Sequence, residues 1–292
     1  MKNNTEQREK SPIQWYPGHM AKTRRMMEEQ IKQVDAVCEL LDARIPRSCR
    51  NPDIAAICGG KPRMIILNRA DMADPDLTAR WSDAFRKEGY AVLQTDCKSR
   101  KGIREFVPAV RTLLKEKLER YAEKGQVGRA LRIMIAGIPN VGKSTLINQV
   151  SGNKGAKAEN RPGVTRGKQW IAMDSGLLLM DTPGILWPRL DDAETGLHLA
   201  YTGAVNDDVL DSESLACRLA ELLWQRYPDA LRARYAVSLP ETAEGYEILE
   251  AAGKKRGFLI SGGEVDTERM AKTLIDEFRS GKLGRFTLEE PE

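Results

Sequence analysis

An α/β fold with a mostly parallel sheet and helices on both faces, followed by an all-α C-terminal domain, is predicted by three observations. Short apolar runs alternate with amphipathic helical stretches, one such run passes through a Gly-rich loop into a helix, and strand signals nearly vanish after Gly184. The runs at 34–41, 63–67 and 90–94 read as buried strands, the last two rich in Ile, Leu or Val and bounded by Gly, Pro, Asp or Asn. Residues 76–88 space Leu77, Trp81 and Phe85 as on one helix face. From Gly102 to Tyr121 the positions Ile103, Phe106, Val107, Val110, Leu113, Leu114 and Leu118 fit a helix, which Pro108 is expected to kink. After the polar stretch 123–129, further strands are expected at 130–136 and 177–180. Beyond a boundary near 185–195, Leu215, Leu219, Leu222 and Leu223 follow Ser212 as N-cap, and 266–279 reads as a helix opened by Asp266 or Thr267. The expected domains are residues 1–190 and 195–292.

Residues 137–144, GIPNVGKS, form the phosphate-loop pattern G-x-x-x-x-G-K-[ST] between a strand, ALRIMIA, and a helix, STLINQV. Gly137 and Gly142 permit a tight loop whose backbone N–H groups surround phosphates. Lys143 reaches the β and γ oxygens, and the Ser144 hydroxyl is a ligand for Mg²⁺. Asn140, Val141, Gly142, Lys143, Ser144 and Thr145 are therefore the candidate phosphate-binding set. DTPG at 181–184 ends a second apolar strand, the place where Asp181 can hold the metal and the Gly184 N–H can sense the γ-phosphate. Between them, Thr165 of RPGVTRG can offer its hydroxyl and carbonyl to the metal, although the same residues would also suit an ordinary loop.

A separate element reads the base. In NRAD, Asn68, Arg69, Ala70 and Asp71 follow the strand MIIL, and a carboxylate there accepts hydrogen bonds from N1–H and N2–H of guanine, donors that adenine lacks. TDCK at 95–98 follows another strand and resembles the loop whose backbone meets guanine O6, with Asp96 and Cys97 at its centre. NRAD and TDCK precede the phosphate loop, Thr165 and DTPG, whereas ordinary GTPases place the base-reading motif last. The order is that of a circularly permuted P-loop GTPase, a rearrangement compact domains tolerate because their termini are superficial and often close.

That order, with IQWYPGHMAK at 13–22, LDARIPRSCRNP at 41–52, RPGVTRGKQW at 161–170, DTPGILWPRL at 181–190 and GKLGRF near the C-terminus, resembles the ribosome biogenesis GTPase A family, RbgA/YlqF, over essentially the whole chain. The resemblance implies GTP hydrolysis in late maturation of the bacterial large ribosomal subunit, with ribosomal RNA as partner, and a cytoplasmic protein. Ile185 occupies the position where many GTPases carry a water-orienting Gln, and the family supplies His19 as the candidate polar group, beside Lys143, for catalysis. It also implies that Asn140 helps hold a K⁺ ion near the phosphates. Two positions depart from the usual pattern: Arg69 stands for a Lys whose stem lies over the base, and Asp96-Cys97 for Asn-Ser.

Charge agrees with a polyanionic partner. Of 46 Lys and Arg and 42 Asp and Glu, 34 and 21 fall in residues 1–190, so that part is strongly basic and the remainder acidic. Lys98, Arg100, Lys101 and Arg104, then Lys154, Lys157, Arg161, Arg166 and Lys168, flank the expected site, and Trp15, Tyr16 and Trp170 lie among them as candidate stacking surfaces for unpaired bases. In the acidic domain, Lys254-Lys255-Arg256 is a local basic cluster. The scattered cysteines suggest neither a disulfide framework nor a zinc site, and no membrane span or signal peptide is expected. Two other readings stay open: an RNA-binding module in which GTP is structural and hydrolysis incidental, and a GTPase serving RNA modification.

Overall fold

The computed structural model describes residues 18–152, 169–186, 192–206 and 211–292. In chain order the first half holds α1 (Gly18–Gln30), β1 (Ala36–Asp42), α2 (Pro52–Cys58), β2 (Arg63–Asn68), α3 (Pro75–Lys87), β3 (Ala91–Gln94), α4 (Phe106–Leu113) and α5 (Lys115–Glu123). Next come β4 (Leu131–Ala136), α6 (Lys143–Ser151), β5 (Gln169–Ala172) and β6 (Leu177–Asp181). The helical part holds α7 (Ala193–Tyr201), α8 (Ser212–Arg226), α9 (Pro228–Tyr235), α10 (Gly245–Arg256) and α11 (Thr267–Ser280).

The strands form one sheet in the order β3-β2-β1-β4-β6-β5. All neighbours are parallel except β5, which runs antiparallel to β6. β5, Gln169–Ala172, was absent from the sequence reading, which took its Trp170 as a stacking surface instead. The strands are apolar because both faces are covered. Along β4 the burial alternates: Met134 and Ala136 join Val37 and Met180 beneath Met27 of α1 and Ile54 of α2, while Ile133 and Ile135 face the other cluster with Leu146 and Ile147 of α6.

Two local expectations are corrected. Pro108 does not kink a long helix: it sits in the first turn of α4, where its missing N–H has no intrahelical partner to lose, and the break falls at Leu114, between α4 and α5. Ser212 is the first helical residue of α8 rather than its N-cap; Asp211 caps it, its carboxylate accepting from the N–H groups of Glu213 and Ser214. Asp266 caps α11 as expected.

The chain does not end in the helical bundle. Residues 281–292 run extended back over the first half, and the Phe286 N–H donates to Met72 O at 2.9 Å and the Leu288 N–H to Arg44 O at 2.7 Å. Trp81 Nε1 donates to Glu289 O at 3.0 Å. Phe286 is 2% exposed, stacked on Phe278 and edge-on to Tyr227. Through this strap, Leu41, Leu67 and Trp81 belong to the same continuous buried cluster as Leu223, Leu274 and Phe278. Truncating Phe286 to Ala should destabilise the protein by about 3–5 kcal/mol. Urea unfolding checks this; a midpoint unchanged from wild type would mean that the strap is not part of the core.

Candidate functional site

Every motif lies at the carboxyl end of a parallel strand: NRAD after β2, TDCK after β3, the phosphate loop after β4 and DTPG after β6. From β1 the order runs outward through β2 to β3, and from β4 through β6 to β5. The direction of winding therefore reverses between β1 and β4, the place where open α/β sheets leave a crevice for a ligand.

The phosphate loop closes on itself. Lys143 is 7% exposed, and its ammonium donates to Gly137 O at 3.2 Å and Ile138 O at 2.7 Å. Burial lowers its pKa to about 8, with the Asp181 carboxylate pulling in the opposite direction. Gly142 has φ +103°, and a Cβ there would come within 2.5 Å of Asn68 Nδ2, so this position requires Gly on both counts. Gly142 precedes α6, whose first N–H groups have no intrahelical acceptor, an arrangement suited to an anion. Asn140 also has a positive φ, +56°, and its Nδ2 donates to Gly203 O of the helical part at 2.7 Å.

Ser144 Oγ donates to Asp181 Oδ2 at 2.9 Å. The other carboxylate oxygen, Oδ1, is buried without a hydrogen-bond partner, and burial raises the Asp181 pKa. A hydroxyl beside a buried carboxylate with a spare oxygen fits a hard divalent cation such as Mg²⁺, which takes oxygen ligands. Gly184 lies against the phosphate loop so closely that a Cβ would stand 2.5 Å from Pro139 N. The next residue, Ile185, is 4% exposed and packed in the apolar cluster with Met134 and Met180, its N–H donating to Gly137 O at 3.3 Å. Its side chain is thus a core group turned away from the crevice.

The NRAD segment is bound to the phosphate loop by two side chains, Asn68 and Arg69. Asn68 Nδ2 donates to Val141 O at 2.9 Å, while its Oδ1 accepts from Thr95 Oγ1 at 3.0 Å and Cys97 Sγ at 3.3 Å. Cys97 is buried, which pushes its thiol up to about 12 and keeps it a protonated donor. Asp96 Oδ1 accepts from the N–H groups of Lys98 at 2.7 Å and Ser99 at 3.2 Å, so this carboxylate shapes its own loop. The Arg69 guanidinium points to the phosphate loop, donating to Asn140 O at 2.5 Å and to Asp42 at 3.3 Å. Ala70, Asp71, Thr95, Asp96, Lys101 and Arg285 line a cavity of about 410 Å³. Burial and the neighbouring Asp96 raise the Asp71 pKa, against Lys98 and Arg44.

The fold thus brings Asn68, Arg69, Ala70, Asp71, Asp96, Cys97, Asn140, Val141, Gly142, Lys143, Ser144, Thr145, Asp181 and Gly184 to one edge of the sheet. Thr165, Trp15, Tyr16 and the basic residues 154–168 lie outside the described residues. His19 belongs to α1, but its side chain is likewise outside them. Sequence reasoning missed Asn51, whose Nδ2 holds Ile185 O at 3.2 Å, and Asp42, which anchors Arg69. Both fall within LDARIPRSCRNP, a stretch noted only for its resemblance. Arg285 was missed in the same way, within GKLGRF.

A family model described as a 50S ribosome-binding GTPase matches residues 132–216. The chain is 45% identical over 281 residues to ribosome biogenesis GTPase A of Priestia megaterium, covering 96% of this chain and 97% of that one. It is 33% identical to the mitochondrial ribosome-associated GTPase 1 of Mus musculus, over 94% of this chain and 89% of that one. Among solved structures, GDP-bound YlqF aligns with a TM-score of 0.63 at 26% identity, covering 91% of this chain and 99% of that one. YlqF of Thermotoga maritima with bound GNP gives 0.62, also at 26% identity, over 93% and 99%.

The Lys143 pKa leads to a prediction for the nucleotide-free protein. A folded value near 8, below the unfolded 10.5, means that the native state binds fewer protons in that window, so the destabilisation is full below about pH 8 and fades as pH rises. Lys143→Met should therefore melt higher than wild type at about pH 7, and the gap should narrow toward about pH 9.5. A gap constant over that range in thermal melts would contradict a buried, desolvated ammonium.

Proposed function

The chain belongs to the ribosome biogenesis GTPase A family, and from that membership we propose that it binds the large ribosomal subunit and its RNA in a manner set by GTP or GDP. It is a GTPase involved in ribosome assembly. The observation that best supports a working nucleotide site is the Asn68 side chain, which joins the base-reading loops to Val141 of the phosphate loop despite the permuted order.

In this reading the Asp71 carboxylate accepts from guanine and the N–H groups at the start of α6 receive the phosphates. Lys143 exchanges the carbonyls of Gly137 and Ile138 for phosphate oxygens, where full charge is favoured. Ser144 and Asp181, with Thr165, would hold Mg²⁺, which when bound neutralises charge on the β and γ oxygens. The Gly184 N–H reports the γ-phosphate. Since Ile185 is buried, the group that orients water comes from elsewhere, and His19 of α1 is the residue assigned to it. The Asn140 amide, with Nδ2 engaged by Gly203 O, has its oxygen left to offer K⁺.

The RNA-facing surface proposed is the basic set Lys98, Arg100, Lys101 and Arg104 with residues 154–168 and Trp170. DTPG leads directly toward α7, and Asn140 contacts Gly203 just beyond α7. Ordering of DTPG by GTP would therefore bias the position of residues 195–292. The burial of Ile185 also favours a second reading, in which hydrolysis is incidental to RNA binding.

GTP turnover with and without large ribosomal subunits separates the two. Turnover is expected to rise on adding subunits, and His19→Ala is expected to slow the stimulated rate by at least roughly tenfold, since a positioned acid–base or water-orienting group contributes about 10²–10⁴. Equal rates with and without subunits would favour incidental hydrolysis, and an undiminished stimulated rate in His19→Ala would return His19 to a structural role.

A further inference from the structure

The loop that carries Asp71 has little holding it from within. Within it the Met72 N–H donates to Arg69 O at 2.9 Å; outward, the Ala70 N–H donates to Thr95 O at 3.1 Å and the Arg69 guanidinium to Asn140 O and Asp42, with Arg69 at a φ of +59°. The C-terminal strap adds four more bonds. Arg285 Nη2 donates to Ala70 O at 3.0 Å and Nε to Ala73 O at 2.9 Å. The Phe286 N–H takes Met72 O at 2.9 Å, and the Asp74 N–H donates to Thr287 Oγ1 at 3.1 Å. Three carbonyls around Asp71, those of residues 70, 72 and 73, are thus claimed by two adjacent residues of the strap.

Arg285 is the member that reaches the cavity, whose wall it forms together with Asp71, Thr95 and Lys101. Its planar guanidinium holds two donors at a fixed separation, so bonding Ala70 O and Ala73 O together fixes the span of the loop in which Asp71 stands. Asp71 must meet the ring N1–H and the exocyclic N2–H of guanine at once, and such paired recognition is sensitive to small displacements of the carboxylate.

We infer that Arg285 is a positioning residue for guanine recognition, setting nucleotide affinity by clamping the Asp71 loop from the far end of the chain. This rests on the reading of Asp71 as the guanine acceptor. It follows that strap docking and guanine-nucleotide binding are linked: whatever lifts residues 281–288 lowers affinity for GDP, and bound GDP opposes the lifting.

The test measures dissociation constants of fluorescent GDP and xanthosine diphosphate on the full chain, for wild type, Arg285→Ala, Arg285→Lys, Asp71→Asn and the double variant. Arg285→Ala should weaken GDP about tenfold and Arg285→Lys, with a single donor head, by less. Asp71→Asn should exchange preference from GDP to xanthosine diphosphate. In that background Arg285→Ala should cost xanthosine diphosphate the same factor while leaving residual GDP binding within about twofold. If Asp71→Asn switches the base but both Arg285 variants bind GDP within twofold of wild type, the clamp is wrong and the Asp71 reading stands. If Asp71→Asn fails to switch the base, the reading of Asp71 falls and the inference falls with it. Equal losses of GDP on Arg285→Ala in both backgrounds would make Arg285 a general structural residue and also overturn the inference.

Discussion

The side-chain amide of Asn68 is the contact on which the rest of the site depends. Chain order separates base reading from phosphate binding: one follows β2, the other β4, with β1 between them in the sheet. Nothing covalent and local holds the two loops in register. The amide does so from both ends, Nδ2 to Val141 O and Oδ1 to Thr95 and Cys97, beside the Arg69 guanidinium on Asn140 O. Because the group is buried, leaving any of these partners unsatisfied carries a desolvation cost of about 1–3 kcal/mol. Circular permutation therefore costs the site little, since its integrity rests on cross-strand side-chain bonds rather than on sequence order.

A second, ionic chain extends from that junction into the helical part. Arg69 bridges Asn140 O to Asp42, Asp42 is paired bidentately with the fully buried Arg44, and Arg44 Nη1 donates to Phe278 O of α11 at 3.1 Å. The Asn140 side chain adds a direct bond to Gly203 O. Burial opposes ionisation of Asp42, yet Arg44 and Arg69 hold its carboxyl below the usual carboxylate range. Breaking a buried pair by removing one partner typically costs about 3–5 kcal/mol, so the phosphate loop and the bundle are held in one arrangement by groups that resist rearranging piecemeal.

Motifs and strands were legible in the sequence because each is a local pattern. The phosphate loop needs two glycines at fixed spacing, and parallel strands buried on both faces read as continuous apolar runs. What escaped was tertiary. Arg285 gives no local sign that it will meet Ala70, 215 positions away. Asn51 caps α2 through its Oδ1, and its amide Nδ2 also fixes Ile185 O, a contact that no local pattern announces. Pro108 read as a kink because helix ends at 106 and 114 are invisible to an apolar period that runs through both helices. The antiparallel pairing of β5 with β6 has no signature of its own in the sequence.

Calorimetric titration of GDP into Asn68→Ala tests the joining of the two loops most directly. The full chain should lose at least about tenfold in GDP affinity, and the same variant should also bind pyrophosphate more weakly, because Val141 in the phosphate loop loses its partner. A GDP dissociation constant within twofold of wild type would contradict the view that this amide is the main tie between the NRAD and phosphate loops.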